Sequence, residues 1–234
     1  DRTSMKLPQC QDRLIEEVLK VQPNVVVVLH NGSPVELPWA DRVSAILEMY
    51  LGGQGVGEAC DQLLFGEANP SGRLAETFPY RLEDNPSYLH FPGNGKRVLY
   101  GEDIFVGYRY YDTKKVPVRY AFGHGLSYTE FAYGDLTLSS AQMTDEDILT
   151  VSLKVKNTGQ TEGKEVVQLY VADLCGTPER PVKELKGFAK VHLLPGEEKT
   201  VSMEISARDL SYYEERLGDW YAPSGTYRIL IGHA

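Results

Sequence analysis

Two acids in an aromatic stretch are the residues of this sequence best suited to chemistry. Residues 100–131 hold nine of the chain's 24 aromatic residues (15 Tyr, 7 Phe, 2 Trp), without a helical or strand period. The candidates are two carboxylates and two phenols: Glu102, Asp103, Tyr100 and Tyr108. A pair of carboxyl groups can act as acid and base on a glycosidic bond. The acids could instead be solvated, or paired with Arg97 or Arg109, and the residues alone leave both interpretations open.

Other common catalytic and binding patterns are absent from the sequence. The five histidines follow no metal-ligand spacing such as His-Glu-x-x-His, and His124, between two glycines, is expected to be a structural hydrogen-bonding residue. Ser33 lacks the Gly-x-Ser-x-Gly turn of serine hydrolases. The glycines at 52, 53, 55 and 57 match no nucleotide-binding spacing and predict close backbone packing. We therefore expect neither a metal nor an organic cofactor.

Charge and cysteine content limit the classes of protein to which this chain can belong. The net charge of −9 leaves no basic face for nucleic acid or for an anionic membrane. The longest apolar run, residues 25–29, is far shorter than the roughly 20 residues that cross a bilayer. Cys10, Cys60 and Cys175 are too few and too widely spaced for a disulfide framework, so we predict reduced thiols. This usage weakly favours a cytoplasmic location.

The first half of the chain has the pattern of an α/β domain. We predict a helix over residues 8–22, a strand buried on both faces over 25–29, a second apolar strand over 45–50, and a helix that ends at Gly66. The side chains predicted to face inward from the two helices are Leu14, Val18, Leu19, Ala59, Leu63 and Leu64. Alternating helices and apolar strands predict a mostly parallel sheet.

The second half has the period of two that is typical of antiparallel strands. Apolar residues alternate with polar ones after residue 148, after 200 and after 226, and the segments are separated by turn sequences such as NTGQTEG and LPGEE. This pattern predicts an all-β sandwich. We place the boundary near residues 128–135, with a partial α/β domain over 1–130 and a β-sandwich over 131–234.

Seven motifs, in order along the chain, carry a family resemblance. They are DR followed by LP at the start, VVVVLHNGSPVELPW, AILEMYLGGQGVGEACDQLLFGEANPSGRLAETFP, YGEDIFVGYRYYD, YAFGHGLSYTEF, VKNTGQTEGKEVVQLYV and KELKGFAKVHLLPGEEKTVSMEI. Together they resemble the C-terminal part of a glycoside hydrolase family 3 enzyme of the β-glucosidase type. The resemblance implies a partial α/β sandwich domain followed by a fibronectin-III-like β-sandwich, without the catalytic barrel.

The resemblance also implies where the catalytic residues lie. The nucleophilic Asp belongs to the barrel, and the acid/base Glu precedes an Asp-Arg that matches Asp1 and Arg2. No catalytic residue is therefore assigned to this chain, which is expected to form one wall of the active site and a docking module, and to be inactive alone. The residues expected near a β-glycoside or oligosaccharide substrate are Asp1, Arg2, Tyr100, Glu102 and Tyr108. Most rings of residues 100–131 are expected to pack between domains.

Two other functions stay open at this point. The chain could be a non-catalytic module that binds carbohydrate or a partner, or an unrelated enzyme with its own site around Glu102. A cut α/β domain would expose sheet edge and apolar surface. We therefore expect association, either of copies with one another or with a chain that carries the barrel. The sequence does not indicate which sugar would be cleaved.

Overall fold

The computed structural model describes residues 3–176 and 179–232. These residues form two compact units. The first contains the chain up to residue 68 together with residues 75–122. The second begins at residue 123 and also contains the short segment Asn69–Leu74. The chain therefore passes from one unit to the other three times.

The first unit has three α-helices and four short strands among its described residues. In chain order they are α1 (Gln9–Leu19), β1 (Val26–Leu29), β2 (Ala45–Glu48), α2 (Val56–Leu64), β3 (Phe78–Pro79), α3 (Tyr108–Lys114) and β4 (Val118–Tyr120). β1 and β2 pair in parallel, with Val26 opposite Ala45, whereas β3 and β4 pair antiparallel. The described strands of this unit thus form one parallel and one antiparallel pair.

The helix ends follow local chemistry. α1 begins directly after Pro8, whose fixed φ and missing N–H suit the start of a helix. α2 is followed by Gly66 in a left-handed conformation (φ +80°), as predicted for a helix stop. In the glycine-rich turn before α2, a Cβ on residue 52 would lie 2.3 Å from Val56 Cγ2, so close packing requires glycine at that position.

The predicted burial of this half is wrong at several positions. Leu14 on α1 and Val26 on β1 are 64% and 50% exposed, and Ala59 and Leu64 on α2 are also exposed. The physical reason is that β1 has one strand neighbour in the described chain, and neither α1 nor α2 contains a fully buried residue. Apolar faces that the sequence pattern assigns to a core are therefore open to solvent here.

The core of the first unit lies instead around Trp39. Its side chain is 0% exposed, and its Nε1 donates a hydrogen bond of 2.8 Å to Asp12 Oδ1 on α1. The other buried apolar residues of this unit are Met5, Leu29, Val35, Leu37, Phe78 and Tyr111. The extended segment after β1 alternates inward at 35, 37 and 39, so it contributes to this core although it is not a strand.

The second unit is a β-sandwich. Its strands are β5 (Phe131–Leu138), β6 (Leu149–Asn157), β7 (Gly163–Asp173), β8 (Glu184–Leu193), β9 (Glu198–Ile205), β10 (Tyr212–Glu214), β11 (Asp219–Tyr221) and β12 (Tyr227–Gly232), with the short helix α4 (Ala207–Leu210) between β9 and β10. Two antiparallel sheets have the orders β5–β6–β9 and β12–β7–β8, and β10 pairs with β11.

The core of the sandwich follows the predicted alternation. Leu149, Val151, Leu153 and Val155 of β6 are buried, and the residues between them are not. Leu149 and Val151 cluster with Leu169 of the other sheet, and Leu153 and Val155 cluster with Val167 of that sheet. The alternation on β6 is therefore confirmed as the core face of a strand.

The three cysteines lie on two helices and in a loop. Cys10 is on α1, Cys60 is on α2 and Cys175 follows β7, and all three are free thiols.

None of the helices in residues 3–176 and 179–232 is long and apolar enough to span a membrane.

Candidate functional site

A long irregular loop between β3 and α3 carries three of the predicted site residues, Tyr100, Glu102 and Asp103. Its apolar side chains are unusually open: Leu89 is 87% exposed and Tyr100 is 79% exposed. Residues 89–99 line an open concavity of about 690 Å³. Exposed apolar residues in such a cluster are typical of surfaces that another protein element or a ligand covers.

The two predicted carboxylates of this loop differ in their exposure to solvent. Asp103 is exposed and has positive φ (51°). Glu102 is half-buried, and its Oε2 atom is buried without a hydrogen-bond partner among the described residues. A buried carboxylate oxygen without a donor is costly, so this atom is suited to accept a hydrogen bond from a group outside the described chain.

The two predicted tyrosines, Tyr100 and Tyr108, also differ in their exposure to solvent. Tyr108 is the first residue of α3, is half-buried, and stacks on Phe122 with ring centroids 4.8 Å apart. One turn further, Tyr111 is buried, and burial raises its pKa to about 12. Tyr108 is thus held by packing, whereas Tyr100 is presented to solvent. The other two predicted residues, Asp1 and Arg2, lie outside the described residues.

A second polar group, which the sequence did not single out, lies where β1 and β2 end. Glu48 is the last residue of β2, and its Oε1 accepts a 2.8 Å hydrogen bond from the backbone N–H of Tyr50. Tyr50 has φ +49°, a left-handed conformation that is rare for a tyrosine. Asn31, shortly after β1, donates through Nδ2 to the carbonyl of Ser33 at 3.0 Å. The carboxyl ends of adjacent parallel strands bring these residues to one edge, where α/β proteins commonly bind ligands.

The surroundings of this edge favour the neutral, protonated forms of Glu48 and Tyr50. Burial raises the pKa of Glu48, although its bond from the Tyr50 N–H and the Asn31 side chain act against the rise and nearby Glu76 adds to it. Burial, and then the negative charge of Glu76, raise the pKa of the Tyr50 phenol. Asn31 Oδ1 and Glu48 Oε2 are buried without a hydrogen-bond partner among the described residues. In the sequence, polar residues at or directly after the ends of two apolar strands are the signal that could have indicated this polar edge.

Glu48 should therefore give the chain a recognisable dependence of stability on pH. Because its pKa is higher in the folded chain than in the unfolded chain, folding favours the protonated acid. Stability from this group is present below the unfolded pKa and falls by up to about 1.4 kcal/mol per pH unit until the folded pKa is passed. We expect Glu48→Gln to remove this fall, because glutamine does not titrate, and its amide oxygen can still accept from the Tyr50 N–H. Urea unfolding between pH 4 and 7.5 measures it.

The exposed Glu67 provides the matched control for this measurement. Glu67→Gln should leave the pH profile of the parent chain unchanged. Equal profiles for the parent and Glu48→Gln would contradict the assignment.

The described residues contain no group of three or more His, Cys, Asp or Glu side chains that could hold a metal ion. Glu48 and Glu76 have an amide and a phenol beside them, a set suited to hydrogen bonding with hydroxyl groups. The unpartnered oxygens of the two polar regions can therefore accept hydrogen bonds from N–H or O–H donors.

The chain thus combines an α/β unit that carries an exposed aromatic loop with a β-sandwich, and sequence models of two families match it. The glycosyl hydrolase family 3 C-terminal domain matches residues 1–128, and the fibronectin type III-like domain matches residues 165–234. Since the first match covers more than half of the chain, the chain belongs to glycosyl hydrolase family 3.

Relatives of known kind match along its whole length. The thermostable β-glucosidase B of Acetivibrio thermocellus is 56% identical over 234 residues, which are 100% of this chain and 31% of that protein. The β-glucosidase of Kluyveromyces marxianus is 46% identical over 99% of this chain and 27% of its own length. The crystal structure of a family 3 β-glucosidase from Bifidobacterium adolescentis matches with a TM-score of 0.96 at 40% identity, over 100% of this chain and 34% of that one. The chain thus spans about a third or less of the length of the proteins it matches.

Proposed function

We propose that this chain is the C-terminal portion of a retaining β-glucosidase that hydrolyses terminal β-linked sugars. The observation that carries the proposal is the 56% identity to a β-glucosidase over the whole chain, which is only 31% of that relative. In the complete protein, a barrel would supply the nucleophilic Asp, and a Glu before residue 1 would supply the acid/base. Those carboxyl groups would lie about 5–5.5 Å apart, as in retaining glycosidases.

The proposed domains are those that the sequence predicts. The proposed α/β domain covers residues 1–130, and the proposed fibronectin-like domain covers 131–234, where β5 begins at Phe131. The compact units of the structure divide the chain at residue 123 instead, and the second unit also contains Asn69–Leu74. In the complete protein, β1 and β2 would be part of a mostly parallel sheet with further strands. That sheet and the barrel would cover the apolar side chains that are exposed on β1, α1, α2 and the loop after β3. Self-association of this chain stays a prediction, which sedimentation of the chain alone would measure.

The loop after β3 would form one wall of the active site. We assign Glu102 to accept a hydrogen bond from a substrate hydroxyl through its buried, unpartnered Oε2. Tyr100 would contact the aglycone through its exposed ring, and Tyr108, held against Phe122, would support the wall. Asp1 and Arg2 would be among the substrate-binding residues. No step of the reaction is assigned to a cofactor.

Hydrolysis of aryl β-glycosides tests the proposal. We expect this chain alone to release no aryl alcohol from aryl β-glucosides, β-xylosides or N-acetyl-β-glucosaminides. We expect the complete protein, with the barrel, to hydrolyse the β-glucoside with retention of the anomeric configuration. Retention is read by NMR of the first sugar released.

Two results would overturn this assignment. Turnover by the pure chain would place a catalytic pair within it, with Glu102 and Asp103 as the first suspects. Saturable saccharide binding by the chain, combined with an inactive complete protein, would favour the non-catalytic binding module.

A further inference from the structure

The segment Asn69–Leu74 belongs to the second unit although the chain on both sides of it belongs to the first. Its sequence is NPSGRL. Asn69 is held at three points: Oδ1 accepts hydrogen bonds from Ser127 Oγ (3.0 Å) and from the backbone N–H of Tyr128 (2.9 Å), and Nδ2 donates to the carbonyl of Glu162 (2.8 Å). An amide makes at most about four such bonds, so these contacts select asparagine by both its acceptor and its donor.

Arg73 is held by charge. Its Nη2 donates to Glu165 Oε2, and the hydroxyl of Tyr133 donates to Glu165 Oε1 at 2.6 Å. The side chains of Arg73 and Glu165 are only 8% and 1% exposed. A carboxylate buried to this degree requires a cation and hydrogen bonds, so a neutral side chain at position 73 would leave it without its counter-charge. The contact therefore selects a cationic side chain.

The backbone of the segment pairs with the chain just before the sandwich. The N–H of Leu74 donates to the carbonyl of His124 at 2.9 Å, and the N–H of Gly123 donates to the carbonyl of Leu74 at 2.8 Å. A Cβ on residue 125 would lie 2.5 Å from the carbonyl oxygen of Gly72, so glycine at 125 permits the close approach of the two backbones.

We propose that the sandwich unit contains a peptide-recognition site for an Asn-x-x-x-Arg segment, and that residues 69–74 of the same chain occupy it. Main-chain pairing supplies affinity, while the amide clamp and the buried ion pair, four residues apart, supply specificity. This is the division of roles by which many domains bind extended peptides. The site is independent of the proposed glycosidase function. Two consequences follow: the sandwich is incomplete without its occupant, and the site should accept the same segment as a separate peptide.

A replacement of the occupant tests both consequences in the full chain. Residues 69–74 are exchanged for a six-residue Gly/Ser linker, and hydrogen exchange is measured on β5 and β7. We expect exchange there to become about tenfold faster or more, because the buried acid loses its cation. Adding N-acetyl-Asn-Pro-Ser-Gly-Arg-Leu-amide should restore the protection in a saturable way. The same peptide with methionine in place of arginine, or alanine in place of asparagine, should not.

The proposal is overturned if the three peptides protect equally, if none protects, or if the linker variant exchanges as slowly as the parent chain. If the linker variant does not fold, two single substitutions test the same proposal. Asn69→Ala should speed exchange of the Leu74 and Gly123 amides by about tenfold, since it removes three hydrogen bonds. Ser71→Ala, in the middle of the segment, should leave both amides at the parent rate. Equal effects of the two variants would contradict recognition through Asn69.

Discussion

Arg73→Met is expected to lower the free energy of unfolding of the sandwich unit by about 3–5 kcal/mol, which is what breaking a buried ion pair on one side costs. The methionine fills much of the volume but leaves Glu165, which is 0% exposed, without its cation. The Tyr133 hydroxyl still donates to this carboxylate, yet one neutral donor does not replace a guanidinium. Burial and the bond to Glu165 raise the pKa of Tyr133, so the phenol stays protonated as a donor.

The chain offers a direct measurement, because each unit contains one of its two tryptophans, Trp39 and Trp220. With 5-fluorotryptophan, urea titration followed by ¹⁹F NMR reports on the two units through separate resonances. Arg73→Met should shift the Trp220 transition to lower urea. Arg73→Lys keeps the charge but loses the planar guanidinium, and should cost less.

A double variant isolates the role of the charge. Arg73→Met combined with Glu165→Gln removes both charges and should recover part of the loss, since the remaining amide can be hydrogen-bonded without a counter-ion. If Arg73→Met leaves the Trp220 transition where it was, the ion pair does not stabilise the sandwich. If the double variant is as unstable as the sum of the two single variants, the residues do not act as a pair.

The strands of the sandwich could be predicted from the sequence because their signal is local. On β6, every second residue from Leu149 to Val155 is apolar, and the antiparallel sheet buries that face. The segment Asn69–Leu74 could not be predicted to join the sandwich. Arg73 and Glu165 are 92 residues apart in sequence, and neither position has a periodic pattern that marks it. Long-range ion pairs leave no local trace.

The first unit shows a different limit. The positions of α1, β1 and α2 follow from apolar periodicity and from Pro8 and Gly66, and they agree with the structure within a few residues. Their burial does not follow, because a periodic pattern reveals which face is apolar and not what covers it. Val26 and Leu14 have the residue types of a core but are open in this chain. Val26 and Leu29 lie on opposite faces of β1, and only Leu29 is buried.

The candidate site was predictable as a region more than as a set of side chains. The aromatic density of residues 100–131 indicated the loop, but rings of one type ended in opposite environments, with Tyr100 exposed and Tyr111 buried. The sequence missed Glu48 and Tyr50 because a single acid after an apolar strand is common. Only the parallel pairing of β1 with β2 places that acid beside the end of the neighbouring strand.

Glu102→Gln in the complete protein is expected to lower kcat/KM for aryl β-glucosides by about 10- to 100-fold. The reason is that Glu102 Oε2 is buried and has no partner among the described residues, so in the proposed site a substrate hydroxyl satisfies it. A hydrogen bond to a charged group contributes about 1.5–3 kcal/mol, and each 1.4 kcal/mol is a factor of about ten. The neighbouring Asp103 is exposed, so Asp103→Asn is the matched control and should change kcat/KM less than about twofold.

The separation of kcat from KM distinguishes substrate binding from a structural role. If Glu102 binds the ground state and the transition state alike, KM rises while kcat is nearly kept; if its bond strengthens in the transition state, kcat falls as well. A purely structural role would instead lower the thermal midpoint and the amount of active enzyme, and leave KM unchanged. If Glu102→Gln and Asp103→Asn behave alike, the buried oxygen of Glu102 does not face the substrate. The wall of the active site must then be sought at the ends of β1 and β2. Glu48 there has the other buried carboxylate oxygen without a partner in the described chain.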